Sequence, residues 1–197
     1  MRTAEITRYT SETKIHLVLN LDGTGQHQIT TKVGFLDHML ELFTRHGRFD
    51  LELTCDGDVQ VDSHHTVEDV AICLGRAFSE SLADRKGIYR YGQMILPMDE
   101  ALVICAIDIS GRGIAVVNLD IPSEKIGSQF DTELVEEFFI AFARELGASI
   151  HFHQLAGKNS HHIVEACYKG FGCALSQAVA INPETADEIP STKGTIL

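Results

Sequence analysis

The sequence has no tryptophan, four prolines, and no apolar run that approaches the length of a membrane span. The last absence excludes a transmembrane helix. The start MRTAEITRYT is polar and lacks the apolar stretch of a secretory signal, so a cytoplasmic location is expected. Basic clusters are missing as well. Lys and Arg number 16 against 28 Asp and Glu, giving a formal net charge of −12. A generic nucleic-acid or membrane-surface binder would carry a basic patch, so neither partner is expected, and an anionic ligand must be met by a few placed cations. The five cysteines (Cys55, Cys73, Cys105, Cys167, Cys173) form no CxxC pair, which argues against a thiolate metal site and for reduced core residues. At 197 residues and 44% hydrophobic, the chain can build one sizeable core or two small halves sharing one.

Histidine, by contrast, is abundant. There are ten, and four stand as adjacent pairs. Written with their flanks, the pairs are Ser63-His64-His65-Thr66-Val67-Glu68 and Ser160-His161-His162-Ile163-Val164-Glu165, both S-H-H-x-V-E, 97 residues apart. Upstream, Phe35-Leu36-Asp37-His38-Met39-Leu40 aligns with Leu134-Val135-Glu136-Glu137-Phe138-Phe139, and Glu12 aligns with Glu100. The chain therefore reads as one half-domain written twice, residues 1–92 and 93–197, the second half carrying a C-terminal tail.

Each half gives the same order of elements. Ile15, Leu17, Leu19 and Leu21 alternate on one face of a strand. Its counterpart, Leu102 to Ile109, is a more continuous apolar run and should be more buried. Asp22-Gly23-Thr24-Gly25 and Ser110-Gly111-Arg112-Gly113 suit hairpin turns, because glycine accepts positive φ. Amphipathic helices follow at about 34–46 and 131–146, where Phe35, Leu36, Met39, Leu40 and Phe43 form one apolar stripe and Leu134, Val135, Phe138, Phe139 and Phe142 another. Short strands (Leu51–Thr54, Ser149–His153) lead into longer helices at each S-H-H, with Ser63 and Ser160 as expected N-caps. The pattern is βββαβα, twice, an α+β fold.

A histidine and a glutamate three or four residues on share a helix face, so His64/His65 with Glu68, and His161/His162 with Glu165, can each reach a cation while the adjacent imidazole points elsewhere. That suggests two separate metals. A third ligand is expected from the preceding helix, His38 in the first half and Glu137 in the second. A lone histidine at a helix start is more often a cap or solvated, but two matched copies favour metal binding. Imidazole and carboxylate without thiolate disfavour structural zinc and suit Mn²⁺ or Fe²⁺, manganese being the better fit.

These segments closely resemble the imidazoleglycerol-phosphate dehydratase family. The stretches that carry the resemblance are Gly34-Phe35-Leu36-Asp37-His38-Met39, Asp62 to Asp69, Pro97-Met98-Asp99-Glu100, Gly157 to Ala166 and Pro190-Ser191-Thr192-Lys193-Gly194. The resemblance implies a duplicated fold like the second domain of ribosomal protein S5, two manganese ions per subunit, and sites completed between subunits of a 24-subunit shell. It implies dehydration of D-erythro-imidazoleglycerol phosphate to imidazole acetol phosphate in histidine biosynthesis. The implied metal ligands are His38, His64, His65, Glu68, Glu137, His161, His162 and Glu165. The implied substrate contacts are Glu12, His46, Arg90, Arg112, Ser191, Thr192 and Lys193. Glu137 stands where many members have histidine, a replacement that a hard divalent ion accepts. No phosphatase segment accompanies these motifs, so the second activity sometimes fused to this family is expected to be absent.

In the implied chemistry a metal on the substrate's imidazole acts as a Lewis acid. Glu12 is the first choice for proton transfer, with Glu68 or Glu165 able to share it. Read from its residues, Glu100 is a relic, a structural group or a catalytic partner. Two other functions remain compatible with the motifs: a two-metal hydrolase, and a metal-storage shell that would need none of Arg90, Arg112 or Lys193.

Overall fold

Ile15, Leu17 and Leu19 are fully buried, and the residues between them face outward, so the alternation read from the sequence forms a strand with one covered face. In the computed structural model, which describes residues 2–196, the first half comprises β1 (Thr3–Tyr9), β2 (Thr13–Asn20), β3 (His27–Thr30), α1 (Gly34–Gly47), β4 (Asp50–Gly57) and α2 (His64–Leu82). The second comprises β5 (Tyr91–Met98), β6 (Ala101–Asp108), β7 (Ile114–Asn118), a small hairpin of β8 (Lys125–Ile126) and β9 (Phe130–Asp131), then α3 (Leu134–Leu146), β10 (Ser149–Ala156) and α4 (Ser160–Val179). The βββαβα order thus appears twice, with one hairpin added to the second copy. β5 begins at Tyr91, so a division after residue 92 cuts this strand.

The two sheets share one topology, β1-β2-β4-β3 and β5-β6-β10-β7. This corrects the expected hairpins at Asp22–Gly25 and Ser110–Gly113. β4 inserts beside β2, and β10 beside β6, so β3 and β7 are displaced to the edges, where they pair in parallel with β4 and β10. The helix between each parallel pair, α1 or α3, makes the crossover that parallel strands require. The glycines still serve turns: Gly25 and Gly111 have φ of 90° and 82°.

Helices lie on the inner face of each sheet and meet between them, α1 along α4 and α2 along α3. Four phenylalanines, one per helix, close a ring at the centre: Phe43–Phe78 at 6.0 Å, Phe78–Phe142 at 5.6 Å, Phe142–Phe171 at 5.0 Å and Phe171–Phe43 at 5.1 Å between centroids. Each is essentially inaccessible to solvent, which stabilises the fold by roughly 1.5–3 kcal/mol per ring. Glycine sets the closest approaches. A Cβ at Gly172 would stand 2.5 Å from the Phe43 carbonyl oxygen, and one at Gly75 2.7 Å from that of Phe142. These are equivalent positions of the repeat, so the α1–α4 crossing is built again as α3–α2.

The helix starts depart from the sequence reading. Asn159, not Ser160, caps α4, its side chain accepting from the amides of His161 and His162. Ser160 is already helical, and its hydroxyl accepts from Ser123 N. Ser63 precedes α2, but its hydroxyl donates to the Gln129 carbonyl at 2.6 Å, and Asp62 takes the His64 amide instead. β6 is buried on one face only, like β2; its outer residues Leu102, Ile104 and Ala106 are half-covered, and among the described residues no helix packs over that side of the sheet. Four of the cysteines are buried, Cys173 is half-buried, and none is bonded to another.

Candidate metal centres and anion cleft

α1 and α4 run side by side from their N-termini, and there they bring His38, His161 and Glu165 together. One ligand atom of each lies within 4.8 Å of the others, the only such group among the described residues. His161 Nε2 is 3.0 Å and His38 Nε2 3.9 Å from Glu165 Oε2. The imidazoles are partly exposed and the carboxylate is 9% exposed, so the group opens outward from a buried base. Burial opposes ionisation of Glu165, but Lys169 and His161 outweigh it and hold the carboxyl below its ordinary value. Two nitrogens and a carboxylate oxygen fit a divalent ion of the manganese or iron type. Lys169 Nζ sits 2.5 Å from Glu165 Oε1 and is a cation that such an ion would meet.

This arrangement corrects the expectation that each cluster takes its third ligand from the helix preceding it. His38 belongs to the first half and joins the second half's histidine and glutamate, because α1 packs on α4 rather than on α2. The same exchange sets Glu137 on α3 beside α2, which carries His64 and Glu68. Glu137 and Glu68 are half-buried, and His64, Glu68 and Glu137 do not close to ligand spacing.

The second histidine of each pair turns away from the first. The ring planes of His64 and His65 cross at 88°, those of His161 and His162 at 81°. His65 presents Nδ1 to Asp58, at 3.0 and 3.2 Å from its two oxygens, and Nε2 toward Glu12, 3.8 Å away. His162 presents Nδ1 to Glu100 at 2.7 Å and Nε2 toward Asp99 at 3.7 Å. These hydrogen bonds raise both histidines above the usual imidazole value. Glu100 also accepts from the amides of Lys158 and Asn159, and with His162 as the largest cause its carboxyl falls to about 2. Glu12 lies at the matching turn of the first half, half-exposed, and its carboxylate has no hydrogen bond among the described residues.

The expected substrate contacts divide. Arg90, Arg112, Ser191, Thr192 and Lys193 line one cleft of about 360 Å³ with Tyr91, Ser110, Thr195 and Ile196. Arg90 is committed there: its guanidinium pairs with Asp108 at 2.7 and 3.2 Å and donates to the Pro190 carbonyl, fastening the tail. Arg112 and Lys193 form no ion pair among the described residues and are exposed. His46 lies elsewhere, at the end of α1; burial, then Lys169, lowers its pKa. The residues missed by the sequence reading are Asp58, Asn159 and Lys169. Asn159 left a signal as a residue type that caps helices, and Lys169 as the residue four after Glu165 on one helix; Asp58 left none.

The cleft and the histidines stand at opposite ends of the β5–β6 hairpin. Arg90 precedes β5 and Ser110 follows β6, whereas Asp99 and Glu100 form the turn between them. Seven steps of about 3.3 Å separate the ends by roughly 23 Å.

Residues 31–175 match the model of a family described as imidazoleglycerol-phosphate dehydratase. The imidazoleglycerol-phosphate dehydratases of Jannaschia sp. (strain CCS1) and Azorhizobium caulinodans are 53% and 55% identical over 196 residues, covering 100% of this chain and 100% and 99% of their own. Among solved structures, imidazoleglycerol-phosphate dehydratase from Staphylococcus aureus subsp. aureus N315 superposes with a TM-score of 0.83 at 38% identity, covering 91% of this chain and 99% of its own. IGPD from Pyrococcus furiosus in complex with (S)-C348 gives 0.83 and 38%, with coverage of 96% and 99%.

Proposed function

Since the chain belongs to the imidazoleglycerol-phosphate dehydratase family, we propose that it dehydrates D-erythro-imidazoleglycerol phosphate to imidazole acetol phosphate with manganese, as a step of histidine biosynthesis in the cytoplasm. The chain is a carbon–oxygen lyase. The observation that carries the metal reading is the His38–His161–Glu165 group. His38, His161 and Glu165 would hold one ion, and His64, Glu68 and Glu137 another, with His65 and His162 reaching ions shared with a second copy. A bound divalent ion supplies Lewis acidity at the imidazole nitrogen of the substrate.

The chain's own residues account for the rest. Dehydration removes the hydroxyl from the carbon attached to the ring and a proton from the next carbon; water leaves, and the resulting enol becomes the ketone. Glu12, unengaged and facing His65, takes the carbon-bound proton. Glu68 or Glu165 can share proton transfer. The phosphate lies against Arg112 and Lys193, with Ser191 and Thr192 donating hydroxyls and Arg90 holding the tail in place. His46, at the end of α1, lines neither the cleft nor the histidine–glutamate group.

Ring and phosphate of one substrate are separated by a few bonds of about 1.5 Å, less than about 10 Å in all. The roughly 23 Å along the β5–β6 hairpin exceeds that reach, which supports a site made from the histidine end of one copy and the cation cleft of another. The outer face of the β5-β6-β10-β7 sheet supports assembly as well, since Tyr91, Ile95, Ile114, Val116 and Leu155 are 36–59% exposed and a second copy would cover them. A 24-subunit shell is the expected assembly. No helix of the described residues is long and apolar enough to cross a membrane. The test is an assay of imidazole acetol phosphate formation with and without Mn²⁺, with particle mass measured on the same sample. Release of inorganic phosphate instead would favour a hydrolase.

A further inference from the structure

We propose that Asp58 and Glu100 are positioning residues that fix His65 and His162 as Nε2 ligands; this rests on the metal reading above. A neutral imidazole carries one N–H and one lone pair, and an ionised carboxylate can only accept. A carboxylate on Nδ1 therefore draws the proton there and leaves the lone pair on Nε2. Asp58 holds Nδ1 of His65, and Glu100 holds Nδ1 of His162. The free nitrogens each face a further carboxylate, Glu12 at 3.8 Å or Asp99 at 3.7 Å. Those separations are beyond a hydrogen bond.

The two halves reach this end with different residues. β4 and β10 align 99 residues apart, so the counterpart of Asp58 is Gly157, which has no side chain to offer. Its place is taken by Glu100 from the β5–β6 turn, whose own counterpart is Glu12. The same contact is thus rebuilt from a different loop, as expected if the histidine requires it. Glu100 is itself fixed, because Oε1 accepts from Lys158 N at 3.1 Å and Asn159 N at 2.8 Å. The substitution of roles leaves Glu12 unengaged for proton transfer and Glu100 occupied in holding a ligand. Outer partners of this kind typically govern metal affinity by about 10–100-fold.

Glu100→Gln separates this role from a structural one. A glutamine has one oxygen, which the Lys158 and Asn159 amides claim, so its NH₂ faces Nδ1 and donates, moving the imidazole proton to Nε2. The full-length assembly is stripped of metal and titrated with Mn²⁺ by equilibrium dialysis and electron paramagnetic resonance, and metal-free melting temperatures are compared. Glu100→Gln is expected to weaken one of two classes of site about 10–100-fold and leave the other class and the melting temperature unchanged. Asp58→Ala, which leaves Nδ1 of His65 without its acceptor, should weaken the class that His65 serves, and the double variant both. Wild-type affinity in both single variants would overturn the proposal, as would equal weakening of all sites with a lowered melting temperature. Wild-type protein that takes up no Mn²⁺ would overturn the metal reading itself and this inference with it.

Discussion

His38 Nε2 lies 3.9 Å from Glu165 Oε2, although the two residues belong to different halves of the duplication. The halves are therefore not two independent sites. Each contributes a first helix to the other's histidine cluster, and the α1–α4 and α2–α3 crossings that bury the phenylalanine ring also decide which histidines and carboxylates stand together.

Removing the shared carboxylate should be felt in metal content before anything else. Glu165→Gln is expected to weaken Mn²⁺ at one class of site by about 100-fold or more, since loss of an outer partner alone costs about 10–100-fold. Mn²⁺ titration of the metal-free protein checks this; unchanged affinity would mean that Glu165 serves only Lys169 and His161.

Glu12 should separate chemistry from metal binding. Glu12→Gln is expected to lower kcat by about 10²–10⁴-fold, the range of general acid–base catalysis, with two ions still bound per chain. Steady-state kinetics alongside metal analysis reads both. Turnover near that of the wild type would remove Glu12 from the mechanism.

The two cleft arginines should differ. Arg112 has no internal partner among the described residues and is exposed, so Arg112→Ala should raise KM about 10–100-fold, the equivalent of losing one charged hydrogen bond of roughly 1.5–3 kcal/mol, without lowering Tm. Arg90→Ala leaves Asp108 and the Pro190 carbonyl without their donor and should lower both affinity and thermal stability. Differential scanning fluorimetry beside KM measurement tells the two effects apart.

Acid should expose the role of Asp50. Burial opposes its ionisation, but the amides of Thr24, Gly25 and Gln26, at 2.8–3.1 Å from Oδ1, outweigh it and lower its pKa. A carboxyl whose pKa is lower folded than unfolded stabilises the fold above its unfolded pKa and loses that contribution as pH falls through the folded one. Asp50→Asn should thus cost about 1–2 kcal/mol near neutrality, with the difference shrinking below the ordinary carboxylate range. Urea unfolding across pH 3–7 would show it; a gap that is constant with pH would contradict it.

The sequence made the α1 and α3 stripes legible because burial of one helix face leaves a period of 3.6 residues, and S-H-H-x-V-E was legible because it is local. Periodicity states which face is covered and not what covers it, so the insertion of β4 beside β2 and the exchange of α1 and α3 between halves could not be read. Ser63 and Ser160 look like caps in isolation, but Asp62 and Asn159 are equally able to accept the first amides and take that place. Asp58 gave no local sign, because its partner His65 is reached across a loop. Glu100, whose alignment with Glu12 left its role open, is hydrogen-bonded to His162 and to the amides of Lys158 and Asn159.

The most direct test of the paired histidine–glutamate account is to strip the assembled protein of metal, assay imidazole acetol phosphate formation, and restore Mn²⁺ stepwise while counting bound ions. The account predicts no product from the stripped protein and activity that returns as two ions per chain are taken up. Sustained product formation by protein with no bound transition metal would contradict it.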